Sequence, residues 1–136
     1  MGLDMNLYGE KHISSLWSEN PIKEDGFVLS GKTYDIGYWR KHPNLHGFIV
    51  DTFADGKDEC RRIYLYADDL HKIIEALEND SIYDEPVTGF FFGRSIFPGE
   101  EGYENQKAND LKIFRSALEW LTLYESNRSI YYQSSW

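Results

Sequence analysis

The sequence predicts an α/β or α+β fold, with a single mixed sheet of about four to five strands packed with about three helices. One domain spans residues 1–136. Three observations predict it. Segments with alternating apolar residues interleave with segments of helical spacing, so strands and helices follow one another along the chain. Aromatic residues make up 16% of the chain, enough ring area to close a core although hydrophobic residues reach only 41%. A chain of 136 residues with no repeat or linker gains nothing from splitting its core.

The elements follow in order. "LDMNLY" sets Leu3, Met5 and Leu7 against Asp4, Asn6 and Tyr8, the alternation of a strand. "GEKHISSLWSENPIKEDG" mixes turn formers with charge and reads as a long connection, and "GFVLSGKTYDIG" as a strand or hairpin between glycines. "HPNLHGFIVDTFADG" reads as a helix: Pro43 suits its first turn, Leu45, Phe48, Ile49 and Phe53 share a face, and Asp55-Gly56 ends it. "CRRIYLYA" is a strand. "ADDLHKIIEALEND" is a helix, with Asp68 and Asp69 in its first turn and an apolar stripe of Leu70, Ile73, Ile74 and Leu77.

"VTGFFFG", apolar on both faces, predicts a short central strand, and "RSIFPGEEGYEN" a loop. "NDLKIFRSALEWLTLYES" is the longest helix, turning Leu111, Phe114, Leu118, Leu121 and Leu123 inward beside Trp120. "NRSIYYQSSW" is the last strand, with Ile130, Tyr132, Ser134 and Trp136 on one face and Tyr131, Gln133 and Ser135 on the other.

Charge and cysteine content narrow the function classes. A net charge of −9 offers little counterion release on a phosphate backbone, which argues against a nucleic-acid polymer as partner. It still permits a small anionic ligand held by a few local cations, or a basic protein partner. Cys60 is the only cysteine, so no internal disulfide forms and a reducing, cytoplasmic setting is expected. No apolar run is long enough to span a membrane, and no secretory signal opens the chain.

His42 and His46, four apart, would share a helix face, yet no third ligand has zinc-like spacing. No Gly-x-Ser-x-Gly or phosphate loop occurs, so no cofactor and no catalytic residue is assigned. Asp4 is an acid inside an apolar strand, where it needs a cation, a ligand or open water. "YDIGYWRKH" gathers rings with Arg40 and Lys41, a combination that can stack on a planar base and hold a phosphate. Arg94 follows a glycine-flanked segment, and Arg128, Gln133 and Trp136 add donors and a ring. The plain structural reading is that the rings form core and the arginines pair with surplus acids.

"MGLDMNLY", "GYWRKHPNLHGFIV", "GFFFG" and "NRSIYYQSSW" together resemble a family of small uncharacterised proteins encoded by phages and found in some bacterial genomes. Asn6 stands where that family's pattern has an aromatic residue. Some members carry the label phosphoglycerate kinase, which neither this length nor the motifs support. The resemblance implies a phage setting and, by analogy, evasion of host defence.

Taken together, these readings lead to an accessory protein that binds a small polar, nucleotide-derived ligand and sequesters a host immune signal. The expected ligand-binding residues are Asp4, Trp39, Arg40, Arg94, Tyr132, Gln133 and Trp136. Trp39, Tyr132 and Trp136 would stack, Arg40 and Arg94 would hold anionic groups, and Asp4 and Gln133 would select donors. The alternatives are an acidic inhibitor of a host defence protein, engaging it around Glu100, Glu101 and Glu104, and a small phosphodiester-cleaving or group-transfer enzyme. A homo-oligomer is compatible with each.

Overall fold

The computed structural model describes residues 2–89, 92–123 and 127–136. The order is β1 (Asp4–His12), β2 (Lys23–Glu24), β3 (Phe27–Val28), β4 (Gly31–Arg40), α1 (Pro43–Phe53), β5 (Ile63–Leu65), α2 (Ala67–Glu78), α3 (Tyr103–Leu123) and β6 (Arg128–Ser135). The main sheet runs β4-β1-β6-β5, and β2 and β3 form a separate small hairpin. Every pairing is antiparallel, so α+β is the class realised.

Alternation in β1 decides the layering. Leu3, Met5 and Leu7 are fully buried, and they join Ile130 and Tyr132 of β6 in one core with residues of all three helices. The helices therefore cover one face of the sheet. Gly37 lets α3 approach β4 closely, since a Cβ there would lie 2.5 Å from Ile113 Cγ2. The opposite face carries a tyrosine ladder. Tyr131 sits between Tyr8 and Tyr64, at ring distances of 5.1 and 5.5 Å, with the Arg62 guanidinium 4.6 Å above it.

Two expectations are corrected. The described parts of "VTGFFFG", residues 87–89 and 92–93, form no strand, while Phe90 and Phe91 lie outside the described residues. Val87 donates its N–H to Asn44 Oδ1 and packs against Gly47, and Phe92 N–H closes a turn onto Gly89 O. The described residue Val87 thus packs on α1 outside any strand, and the central strands are β1 and β6. Helix α3 begins at Tyr103, earlier than the apolar spacing suggests, and Leu123 is 60% exposed instead of inward.

Candidate functional site

All seven residues singled out from the sequence lie toward one end of the sheet, because register pairs Asp4 with both Arg40 and Ser135. They divide into two groups.

The first group surrounds a cleft of about 330 Å³ lined by Trp39, Arg40, Lys41, His42, Arg94 and Asp110, with Ile96, Gln106 and Asn109 completing the wall. β4 brings Trp39 inward opposite Met5 and leaves Arg40 at the lip opposite Asp4. Asp4 accepts a hydrogen bond from the Tyr38 hydroxyl at 2.5 Å, which with burial and the Asp4 charge raises the tyrosine pKa; Arg40 opposes that rise. Lys41 follows with positive φ (60°), and Gly93 (φ 74°) packs on its stem. Neither Arg40 nor Lys41 makes an ion pair among the described residues. Arg94 is held by both Glu100 oxygens, at 2.7 and 2.9 Å. That contact and a hydrogen bond from Phe97 N–H lower the Glu100 pKa, the backbone bond contributing most.

Behind the cleft runs a buried chain of polar groups that sequence reasoning missed. Trp39 Nε1–H donates to Asp110 Oδ1 at 2.7 Å, and His42 Nε2 lies 2.8 Å from Asp110 Oδ2. His42 Nδ1 lies 2.6 Å from Ser95 Oγ, which also accepts Asn44 N–H at 3.0 Å. A neutral imidazole completes this set: Nε2–H donates to the carboxylate, and Nδ1 accepts the serine hydroxyl. Ser95 thereby satisfies a helix-start N–H of α1 that would otherwise be orphaned. The connectivity is that of a serine–histidine–aspartate relay, but Ser95 is 1% exposed and does not line the cleft. A substrate carbonyl has no approach to its hydroxyl, so the chain positions the cleft walls.

The second group gathers at the end of β6. Tyr132 is buried, with its hydroxyl 2.6 Å from His46 Nδ1, so it has no free face for stacking. His46 Nε2 lies 2.8 Å from Asp58 Oδ2, and Trp136 Nε1–H donates to Asp58 Oδ1 at 3.0 Å. Gln133 donates to Cys60 O. Trp136 is 53% exposed and lies 6.1 Å from the Phe92 ring, outside the cleft. Segment 92–95 connects the groups, with Phe92 beside Trp136 and Arg94 at the cleft.

Trp39 and Tyr132 are thus occupied in buried hydrogen bonds instead of presenting ring faces. His42 is the residue that precedes α1 and His46 lies inside the helix, and each turns to a different aspartate. Among the described residues no group of three His, Cys, Asp or Glu could hold a metal, and no helix is long and apolar enough to cross a membrane. A larger cavity, about 810 Å³, lies at the other end of the sheet beside Lys11, Lys32 and Arg128 and contains none of the seven. No protein-family model, no curated protein and no solved structure matches the chain.

Proposed function

We propose that the protein binds a small anionic, nucleotide-derived ligand in the cleft at the end of β4, without catalysis. The observation that carries this reading is the meeting of Arg40, Lys41 and Arg94 on one cleft in a chain of net charge −9. Arg40 and Lys41, without ion pairs among the described residues, repel one another beside the Glu100-paired Arg94, and an anionic ligand relieves that repulsion. Positive φ at Lys41 supports the same reading, since such a backbone is retained where a side chain must be aimed. Asn109, on the cleft wall, adds an amide to select among ligands. The resemblance to small phage proteins gives this binding a purpose, the sequestering of a nucleotide-derived host signal.

The test is thermal shift and calorimetry with mononucleotides, cyclic dinucleotides, ADP-ribose and inorganic phosphate. A ligand at a hundredfold excess over its Kd stabilises the fold by about 2.7 kcal/mol. Arg40→Ala and Lys41→Ala should abolish that shift while leaving the fold intact. Absence of a shift with every anion, or a shift that survives both substitutions, defeats the reading.

A further inference from the structure

The connection between β1 and β4 is an ordered arm. Ile13 N–H donates to Ser30 O, Ser14 Oγ to Leu29 O, and Leu29 N–H to Ile22 O. Directly after Ser14 a turn closed by Ser18 N–H to Ser15 O and by Ser15 N–H to Ser18 Oγ lifts two apolar side chains into solvent. Leu16 is 82% exposed and Trp17 95%. A tryptophan held out in this way by a built turn is an anchor without a socket. The exposed charges of the arm are Glu19, Lys23, Glu24 and Asp25, three acids against one base.

A socket of matching chemistry lies on the same molecule. An almost wholly apolar pocket of about 260 Å³ is lined by Tyr34, Ile36, Ser116 and Trp120. Lys11 lies two residues along β1 from Gly9, whose Cβ position is covered by Ile36 and Trp120, and Lys32 lies two residues along β4 from Tyr34. Register sets Lys11 directly opposite Lys32, a like-charge pair that costs stability. Neither lysine makes an ion pair among the described residues.

We propose that the occupant of this pocket is Trp17 of a second copy of the chain, and that two copies exchange arms. The apolar ring enters the apolar pocket, and the acids of the arm meet Lys11 and Lys32. Arm and pocket both adjoin the end of the sheet where His12 pairs with Gly31, so a two-fold axis there allows both insertions at once. Reciprocal insertion closes the assembly as a dimer.

Sedimentation velocity over a concentration series tests this. The intact chain should form a dimer that weakens with added salt. Trp17→Ala should weaken it by roughly thirtyfold or more, the scale of an anchor residue. Ser116→Trp, which fills the pocket from its own wall, should do the same. Mixing the two variants should restore a heterodimer with one good insertion. Both substitutions are at exposed positions, so the circular dichroism spectrum should stay unchanged. A chain that remains monomeric at every soluble concentration, a dimer indifferent to Trp17→Ala, or a mixture that stays monomeric overturns the proposal.

Discussion

His42 and His46 stand one turn apart at the start of α1, and each bridges a hydroxyl to a carboxylate that a tryptophan also holds. Ser95, His42, Asp110 and Trp39 form one such chain, and Tyr132, His46, Asp58 and Trp136 the other. The first is sealed and the second is half-open, because Asp110 is fully buried while the Asp58 side chain is 30% exposed. That difference in burial sets different costs for breaking them.

Asp110→Ala strands the His42 Nε2–H and Trp39 Nε1–H donors in the core, and each buried donor left unsatisfied costs about 1–3 kcal/mol. Asp58→Ala leaves its partners within reach of water and should cost about 1 kcal/mol. Urea denaturation of both variants checks the order, and equal losses would show that burial does not separate the two chains.

Sequence patterning explains why one chain stayed hidden. Asp110 follows Tyr103 and precedes Phe114 and Ala117 on the buried face of α3. Starting the helix near Asn109 puts Asp110 in a solvated first turn, and only the earlier start reveals an acid on the apolar stripe. Ser95 had no signal at all, since its partners His42 and Asn44 are 53 and 51 residues away in sequence. The strands were readable because alternation reports directly on two-sided burial, whereas "VTGFFFG" misled because an apolar run does not say whether a sheet or a helix covers it. Arg40 and Arg94 line one cleft, whereas Tyr132 and Trp136 turn to His46 and Asp58, contacts that only the fold creates.

Alkaline pH should unfold the protein steeply. Burial holds Tyr132, Tyr83, Tyr103 and Tyr131 protonated above their ordinary range, with nearby acids adding to the rise. A raised folded pKa gives stability that is complete below the unfolded value of about 10 and is lost as pH climbs toward the folded value. Tyrosinate absorbance should therefore rise together with loss of circular dichroism above about pH 10. Ionisation of these four buried tyrosines while the circular dichroism signal is still intact would contradict the burial.

Gly93→Ala should damage the cleft and the fold together. The residue has φ 74°, and a Cβ would lie 2.9 Å from Lys41 Cβ and Cδ. The left-handed backbone alone costs about 1–2 kcal/mol for an L side chain. Displacing the Lys41 stem should also weaken anion binding, measured by calorimetry at a temperature where the variant is folded. Full affinity in the folded variant would remove Lys41 from the site.

Glu100→Gln should tighten anion binding a few-fold. Glu100 occupies Arg94 with both oxygens while Oε1 accepts Phe97 N–H, so the protein's own carboxylate competes for one of the three cleft cations. Glutamine keeps an acceptor for Phe97 N–H but gives up the charge, which frees the guanidinium for ligand. The gain should appear in phosphate or nucleotide titrations at low salt and shrink at high salt, because the pair is exposed and screened. A loss of affinity instead would mean that Glu100 holds Arg94 in its binding position, making the pair part of the site's scaffold and not a competitor for it.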